Sequence, residues 1–315
     1  MKDEQLLKSF LSGDRRALSQ LITLIESDRE SDRKKAAHLL KNMHNSQKSL
    51  RIALSGPPGV GKSSLINVLG KKLRAQNYKV AILPIDPASE VHGGSILADK
   101  TRMTQLLDDE GVYIRPSSSR AVLGGVSVAT HDVIFAVESF GFNAVIIETV
   151  GVGQSETLAY SLADHFVVMM QPGAGDQLQA LKKGILERAD FIIVNKFDDA
   201  LKSLARATYN QLKGALNTPV YLVSAMLDIG VDDFCSDLFK THQQKMASAY
   251  LFSERQKRLH SFLRFAFERE FMKRLFEQSS TQEKAQRIIQ EIVTKKQALA
   301  PELNAWIDEI FNRIQ

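Results

Sequence analysis

The stretch Gly56-Pro-Pro-Gly-Val-Gly61-Lys62-Ser63 decides the fold of this chain. It fits G-x-x-x-x-G-K-[ST], a loop whose backbone N–H groups cradle nucleotide phosphates. The apolar run Leu50–Leu54 predicts a strand entering the loop, and apolar residues at helical spacing in Ser63–Leu73 predict a helix leaving it. The glycines let N–H groups face phosphate oxygens, and the helix N-terminus adds the positive end of its dipole. The alternative, a glycine-rich turn without a ligand, requires neither flanking element.

We therefore predict a phosphate loop in which Lys62 reaches the β- and γ-phosphates and Ser63 places its hydroxyl on Mg²⁺. The residues expected to contact nucleotide in this loop are Gly56, Pro57, Pro58, Gly59, Val60, Gly61, Lys62, Ser63 and Ser64.

A second motif, Asn195-Lys196-Phe197-Asp198, follows the apolar run Phe191–Val194 and indicates the base. A carboxylate at Asp198 accepts two hydrogen bonds from guanine N1–H and its exocyclic amine, whereas adenine would leave it unpaired. We expect Asn195 to bond the purine edge and the stem of Lys196 to cover the base face. The alternative is that Asp198 only caps the helix running to Leu216. The two readings are compatible.

The segment Val223-Ser224-Ala225, after the run Val220–Val223, fits the last guanine-contacting loop of GTPases. We expect Ser224, Ala225 and Met226 to contact the nucleotide there.

Composition narrows the class of protein. The 315 residues are 44% hydrophobic and 24% charged, with a net charge of +5 spread along the chain and no basic–aromatic stripe, which argues against nucleic acid. The single cysteine, Cys235, excludes an internal disulfide and fits a reducing compartment. It is best interpreted as a small buried apolar residue. Apolar runs of membrane-spanning length and a signal-peptide core are lacking, so we expect a cytoplasmic protein without a membrane partner.

Apolar runs alternate with helical segments through the middle of the chain, which predicts an α/β fold with a doubly wound, mostly parallel sheet. The expected domains are an N-terminal helical extension (1–48), the phosphate-loop domain (49–240) and a C-terminal helical arm (241–315). The predicted strands are Leu50–Leu54, Val80–Ile85, Phe142–Glu148, Phe166–Met170, Phe191–Val194 and Val220–Val223. Asp14 is expected to cap an N-terminal helix.

The C-terminal arm carries an unusually aromatic face, which includes Phe262, Phe265, Phe267, Phe271 and Phe276. Such a face needs a partner, either the chain's own nucleotide domain or a second copy of the chain. The residues alone leave both open.

A carboxylate, Glu148, ends the predicted strand Phe142–Glu148, and Gly151 follows three residues later. In phosphate-loop enzymes a carboxylate there holds Mg²⁺ through water and the glycine bonds the γ-phosphate. Most GTPases have Asp at this position. Gln154 is a weaker candidate for orienting the attacking water, and the alternative for Glu148 is a helix cap.

Two further loops follow strands. Asp86 and Asp99 are candidates for serving Mg²⁺ or the attacking water, and Lys100 and Arg102 for neutralising phosphate charge. The alternative is a solvated surface loop. In Gln171–Lys183 Asp176 can cap the next helix, and the residues alone favour an ordinary strand–helix loop.

Four motifs together carry a resemblance: Asp86–Met103 (DPASEVHGGSILADKTRM), Glu148–Glu156 (ETVGVGQSE), Gly175–Asp190 (GDQLQALKKGILERAD) and Asn195–Asp198 (NKFD). In this order they resemble the methylmalonyl-CoA mutase-associated GTPases of the MeaB/ArgK family, over nearly the whole chain. The resemblance implies a P-loop GTPase of the signal-recognition and nickel-chaperone (SIMIBI) class that uses GTP, GDP and Mg²⁺. It also implies a homodimer held by the C-terminal helices, and a chaperone that gates adenosylcobalamin loading of an adenosylcobalamin-dependent acyl-CoA mutase.

The resemblance assigns residues as well. It places Asp86 and Asp99 in a first switch, Glu148 in a second, and Gln171–Lys182 in a third that relays nucleotide state to the mutase. The expected catalytic residues are Lys62, Asp86 and Glu148; the expected metal residues are Ser63, Asp86, Asp99 and Glu148; those expected to couple to the partner are Gln154, Asp176 and Lys182. Glu90, His92 and Ala98 replace the family's usual Pro, Thr and Gly, so the first switch departs from the pattern.

Two other functions stay open. A metallochaperone GTPase delivering nickel would need a His-rich tract or a Cys/His pair, whereas this chain has one cysteine and seven scattered histidines. A scaffold locked in one nucleotide state would bind GTP without turnover.

Overall fold

The computed structural model describes residues 2–27, 29–44, 48–85, 104–115, 128–149, 154–173, 183–248, 250–295 and 298–314. The chain divides into two compact units, Met1–Phe262 and Leu263–Gln315.

The first unit is built on a parallel sheet. Over the described residues it has seven strands: β1 (Leu50–Ser55), β2 (Val80–Ile85), β3 (Val112–Ile114), β4 (Ala144–Thr149), β5 (His165–Met170), β6 (Phe191–Val194) and β7 (Val220–Leu222). They lie in the order β3-β2-β4-β1-β5-β6-β7, and every neighbouring pair is parallel. The predicted doubly wound α/β fold is confirmed. Parallel strands bring all their carboxyl ends to one edge, where ligands bind in such sheets.

Six strands were expected and β3 was missed. It has three residues at the edge of the sheet, too few for a period to be read. β4 begins at Ala144 rather than Phe142, while the other predicted strands agree within a residue.

Helices connect and extend the sheet. They are α1 (Lys2–Leu11), α2 (Arg15–Ile25), α3 (Glu30–Lys41), α4 (Lys62–Ala75), α5 (Thr104–Leu107), α6 (Val128–Ser139), α7 (Gln154–Leu162), α8 (Lys183–Leu186), a 3-10 turn (Asp199–Leu201), α9 (Lys202–Ala215), α10 (Val231–Ala247), α11 (Tyr250–Glu277), α12 (Ser279–Lys295) and α13 (Leu299–Ile314). The predicted cap of α2 is confirmed, because an Asp14 carboxylate oxygen accepts from the Arg16 N–H at 2.8 Å.

The core explains why these strands read as continuous apolar runs. Ile52, Ile146 and Ile193 are fully buried, since helices cover both faces of a parallel sheet. Cys235 on α10 belongs to the same cluster, and burial raises the pKa of its thiol to about 12. Its interpretation as a small apolar core residue is confirmed.

A set of charged residues, which we call the basal network, lies around the amino ends of the strands. Its members are Arg51, Glu138, Asp164, Asp190, Lys245, Arg255 and Arg258.

Three ion pairs form the centre of the basal network. Arg51 donates from Nε and Nη2 to the two Glu138 oxygens, at 2.5 and 2.7 Å. Arg255, on α11, donates from Nε and Nη2 to the two Asp164 oxygens, both at 2.7 Å. Lys245, on α10, donates from Nζ to Asp190 Oδ1 at 3.0 Å. The network therefore attaches α10 and the first half of α11 to the base of the sheet.

The carboxylates stay ionised despite their burial. Burial alone would raise the pKa of Asp164 and of Glu138. Hydrogen bonds from Arg255 to Asp164 and from Arg51 to Glu138 outweigh it, so both pKa values lie below the ordinary ones.

The second unit consists of the end of α11 with α12 and α13. Within it, Lys284 Nζ lies 3.0 Å from a Glu309 carboxylate oxygen, and the Phe276 and Trp306 rings meet edge to face. Several large apolar side chains are nonetheless exposed, among them Phe267 at 66% and Val293 at 71%. The expected domain boundaries stay predictions. Residue 240 falls inside α10, which runs on to Ala247.

In the described part of the chain, no helix combines the length and the apolar character that crossing a bilayer requires.

Candidate functional site

The phosphate loop leaves β1 at Gly56, and α4 begins at Lys62. Gly61 has φ +99°, and a Cβ there would collide with the side-chain amide of Asn195. Gly56 has φ +151°, and its Cβ would lie 2.6 Å from the backbone oxygen of Met169 on β5. Both positions require glycine for backbone conformation and for space, which is why the loop can turn sharply between strand and helix.

The Lys62 side chain folds back over this loop. Its Nζ donates to the carbonyl oxygens of Gly56 at 2.7 Å and Pro57 at 3.2 Å. The side chain is buried, and these two carbonyls help to hold the ammonium over the loop. Ser63, half-buried, and Ser64, exposed, follow in the first turn of α4. This places Lys62, a predicted phosphate residue, and Ser63, one of the predicted metal residues, at one helix N-terminus.

Asn195 joins the two predicted motifs. Its Nδ2 donates to the Val60 carbonyl at 2.8 Å, and its Oδ1 accepts from the Ala225 N–H at 3.0 Å. The side chain is buried and links the phosphate loop to the loop after β7. Sequence reasoning expected Asn195 at the purine edge and missed this bridging role. The purine contact stays a prediction.

Asp198 and the loop after β7 lie together. Ser224 Oγ donates to Asp198 Oδ2 at 2.8 Å, and Ser224 also accepts from the Leu227 N–H at 3.2 Å. Backbone bonds between Ser224 and Ile229 close the loop, leaving Met226 74% exposed. The alternative of Asp198 as the cap of α9 is wrong, because a 3-10 turn intervenes and Leu201 occupies the N-cap.

Lys196 has a left-handed backbone with φ +63°. The next residue, Phe197, donates its N–H to the Val223 carbonyl at 2.9 Å, and Lys202 and Arg206 lie over its ring. The motif is thus anchored to both neighbouring elements while the Lys196 side chain stays half-buried.

Glu148 lies one residue before the end of β4, in register with Leu54 of β1 and Pro84 of β2. Glu148 therefore lies on the strand beside β1, and β1 is the strand that leads into the phosphate loop. Carboxylate and hydroxyl oxygens are the donors that Mg²⁺ prefers, and Mg²⁺ in nucleotide sites takes one or two protein ligands with phosphates and waters. Ser63 and Glu148 fit that donor set. Among the described residues no group of three or more His, Cys, Asp and Glu side chains forms a metal cluster.

Several predicted residues lie outside the described ranges: Asp86, Asp99, Gly151, Asp176 and Lys182. Gln154 is the first residue of α7. The roles assigned to these residues stay predictions.

Two contacts at the start of the predicted third switch were not foreseen. Gln171 Nε2 donates to the Pro58 carbonyl of the phosphate loop at 3.1 Å. The Gly173 N–H donates to Thr208 Oγ1 on α9 at 3.0 Å. Nothing in the sequence marks Gln171 beyond its position after β5, so only the fold could reveal that this segment begins on the phosphate loop.

A parallel sheet that brings a G-x-x-x-x-G-K-[ST] loop and an Asn-Lys-x-Asp motif to one edge, linked by a shared asparagine, defines a P-loop GTPase. Comparison with known proteins agrees. The family described as "Methylmalonyl Co-A mutase-associated GTPase MeaB" matches residues 18–280. The chain belongs to this family and is a GTPase, as the resemblance implied.

Relatives extend the comparison. The "Probable GTPase" of Mycobacterium tuberculosis (strain ATCC 25618 / H37Rv) is 40% identical over 256 residues, which are 78% of this chain and 76% of the relative. The "Methylmalonic aciduria type A homolog, mitochondrial" of Mus musculus is 36% identical over 274 residues, 80% of this chain and 66% of the mouse protein.

A crystal structure described as "LAO/AO transport system kinase" matches with a TM-score of 0.77 at 24% identity, covering 98% of this chain and 97% of that one. The similarity extends the shared fold over the helical extensions.

Proposed function

We propose that this GTPase gates the loading of adenosylcobalamin into an acyl-CoA mutase, and protects that mutase, in response to bound GTP or GDP. The family description associates its members with methylmalonyl-CoA mutase, and the mouse relative is named for methylmalonic aciduria. We propose a mutase of that kind as the client, in the cytoplasm.

The observation that carries the nucleotide half of the proposal is the Asn195 bridge. Because it bonds both the phosphate loop and the base loop, the two halves of the site have a fixed separation. The Asp198 carboxylate, oriented by Ser224, then meets guanine N1–H and its amine. Fixed polar groups of this kind reject adenine strongly, since adenine would leave the carboxylate without partners.

On the phosphate side, Lys62 exchanges its carbonyl acceptors for phosphate oxygens, and Gly151 donates to the γ-phosphate. Ser63 and Glu148, with Asp86 and Asp99, are the proposed oxygen donors to Mg²⁺, Glu148 through water. The cation, when bound, neutralises charge that develops on the phosphates during hydrolysis. The residues themselves orient the γ-phosphate and the attacking water, and Gln154 is the weaker candidate for the latter.

For the mutase half, the segment after β5 is the proposed relay. Its first residue bonds the phosphate loop and its third bonds α9, the helix that follows the guanine motif. We therefore expect a change of bound nucleotide to alter the conformation of this segment through these two contacts. Asp176 and Lys182 are the proposed polar positions at which the mutase is sensed.

We propose further that the C-terminal helices hold a homodimer. Their exposed aromatic and aliphatic side chains supply the apolar surface that a stable interface needs. A chain ending at Phe262 keeps the whole first unit, with Arg255 and its pair with Asp164, so it should be monomeric by light scattering where the full chain is dimeric.

The deciding experiment measures GTP hydrolysis by the full chain with and without the adenosylcobalamin-dependent mutase of the same cell, together with cobalamin transfer into that mutase. We expect the mutase to accelerate hydrolysis. By linkage, nucleotide state should change mutase affinity by the same factor that the mutase changes nucleotide affinity. Lys182→Ala and Asp176→Ala should keep intrinsic hydrolysis and reduce the stimulation by about five-fold or more. Full stimulation of both variants would contradict the relay, and no stimulation of the wild type would contradict the client.

A further inference from the structure

Three buried polar side chains lie where the carboxyl ends of β1 and β4 meet the start of α7. Ser55 is the last residue of β1, Thr149 is the last residue of β4, and Glu156 is in the first turn of α7. Ser55 and Thr149 have no exposed surface and Glu156 has 2%. Such burial of a carboxylate is unfavourable unless it is hydrogen-bonded.

Their hydrogen bonds converge on the end of β1. Ser55 Oγ donates to Glu156 Oε1 at 2.8 Å, and Thr149 Oγ1 donates to the Leu54 carbonyl at 3.3 Å. The last residue of β4 and the first turn of α7 are therefore both bonded to the two residues that precede Gly56. Gly56 in turn supplies the carbonyl that holds the Lys62 ammonium.

Glu156 bonds to another strand from a helix position at which a glutamate often caps its own helix. A glutamate in the third position of a helix commonly bonds back to its own N-cap N–H. Here the carboxylate reaches to another strand and takes a hydroxyl hydrogen bond there. An apolar pair of similar volume would pack between β1 and α7 with less desolvation, so packing alone does not account for a carboxylate at this point.

We propose that Glu156 and Ser55 form a positioning pair for GTP hydrolysis. The pair holds the start of α7, and with Thr149 the end of β4, at a fixed distance from the phosphate loop. Glu148 and Lys62 then face the same phosphates. This inference rests on the proposed roles of Lys62 and Glu148.

The test compares two serines that each donate to a buried glutamate, at opposite ends of the same sheet. Ser55→Ala removes the hydroxyl bonded to Glu156, and Ser49→Ala removes the one bonded to Glu138 in the basal region. Both serines are buried and both changes remove one oxygen. We expect Ser55→Ala to lower kcat by about ten-fold, the rate equivalent of one hydrogen bond of typical net strength. Ser49→Ala should lower the thermal midpoint and leave kcat per folded molecule unchanged.

Two more readouts separate positioning from general loss of structure. The affinity for GDP, measured by calorimetry, should change by less than about two-fold in Ser55→Ala, because GDP lacks the γ-phosphate, at which hydrolysis takes place. Glu156→Gln should resemble Ser55→Ala, and the double variant should be no slower than the slower single variant, since both changes break one contact. If Glu156→Gln does not fold, Ser55→Ala still decides the question.

Equal kcat in wild type and Ser55→Ala would overturn the proposal, as would equal loss of kcat in Ser55→Ala and Ser49→Ala. Because these measurements use intrinsic hydrolysis without a mutase, their failure is distinct from a failure of the proposed chaperone role.

Discussion

Charged side chains have different hydrogen-bond partners at the amino ends and at the carboxyl ends of the strands, which we call the amino edge and the carboxyl edge of the sheet. At the amino edge, cations and carboxylates neutralise one another, as Arg255 does with Asp164. At the carboxyl edge, the Lys62 ammonium rests on backbone carbonyls, and Asp198 is oriented by a neutral hydroxyl. Pairs of opposite charge at the amino edge hold elements together, whereas the Asp198 carboxylate, oriented by a neutral hydroxyl, stays available for a polar ligand.

At the amino edge a further arginine, Arg258, joins α11 to the end of α7. Arg258, on α11, lies 4.2 Å from the centre of the Tyr160 ring and donates to the Ala163 carbonyl at 2.6 Å. Arg188 approaches the same ring at 5.6 Å. Tyr160 belongs to α7, whose first turn is bonded to the phosphate loop strand through Glu156. The same helix thus contacts the nucleotide region at one end and α11 at the other.

Of the substitutions that distinguish the two edges, Lys62→Ala should have the largest effect. We expect GTP hydrolysis to fall by about a thousand-fold or more, because a phosphate site loses its cation. Lys71→Ala, an exposed lysine on the same helix, is the matched control and should hydrolyse GTP normally. Single-turnover kinetics with unchanged thermal midpoints would check both. Wild-type rates in both Lys62→Ala and Glu148→Ala would show that the phosphate site has been misassigned.

The converse change is Asp164→Ala at the amino edge. It breaks a pair whose carboxylate is fully buried and leaves the Arg255 side chain, only 14% exposed, without that carboxylate, so we expect the free energy of unfolding to fall by about 3–5 kcal/mol. Hydrolysis per folded molecule should be unchanged. Urea unfolding gives the first quantity and active-site titration the second. Glu268→Ala, which breaks an exposed pair on α11, should leave the unfolding midpoint in place. A large loss of kcat in Asp164→Ala would mean that the amino edge is not merely structural.

The contrast between the edges also explains what the sequence could reveal. The carboxyl edge was predictable because its residues follow strands within short motifs, where spacing alone fixes the geometry. The basal network was not, because Arg51 and Glu138 are 87 residues apart and Arg255 and Asp164 are 91 apart. Such pairing has no local pattern. The bridging role of Asn195 escaped for a related reason: the motif located the residue, and only the fold brought Val60 and Ala225 to its two amide atoms.

Base recognition gives a smaller, sharper test. Asp198→Asn exchanges a carboxylate oxygen for a donor, so GTP should bind more weakly by about ten-fold to a hundred-fold, the loss of a hydrogen bond to a charged group. Xanthosine triphosphate should gain, because xanthine presents an acceptor where guanine presents its amine. Calorimetry with GTP, ATP and xanthosine triphosphate measures all three affinities. Equal wild-type affinities for ATP and GTP would contradict the role given to Asp198.

The smallest effect concerns a buried pair of histidines beside the basal network. His165 and His242 have ring centres 5.6 Å apart, and in the described part of the chain neither ring nitrogen of His165 has a hydrogen-bond partner. Burial, with the positive charge of Lys245, lowers the pKa of His165 to about 2, although Asp164 opposes the shift. Burial lowers the pKa of His242 as well. Arg258 also acts on His165, and Arg255 on His242, each in the same lowering direction.

The sign of the pH dependence follows from these shifts. An unfolded histidine binds a proton below about pH 6.5, whereas folded His165 stays neutral down to about pH 2. The unfolded state therefore binds more protons in that window, and the free energy of unfolding should fall by about 1.4 kcal/mol per pH unit for such a group as pH drops. Asp164 and Glu138, whose pKa values are lowered, lose their contribution only below about pH 5. The range from pH 6.5 to 5 thus isolates the histidines.

Urea unfolding of wild type and His165→Phe between pH 7.5 and 5 measures this difference. Phenylalanine keeps an aromatic ring in contact with Phe191 and His242, and it removes the nitrogens that titrate. We expect the slope below pH 6.5 to be reduced in His165→Phe and nearly absent when His242→Phe is added, with little pH dependence in any variant above pH 7. GTP hydrolysis should not follow the same change, because the pair lies at the amino edge. If His165→Phe keeps the full wild-type slope, the buried histidines do not set the acid sensitivity of this edge, and the carboxylates of the basal network must titrate at a higher pH than their pairing implies.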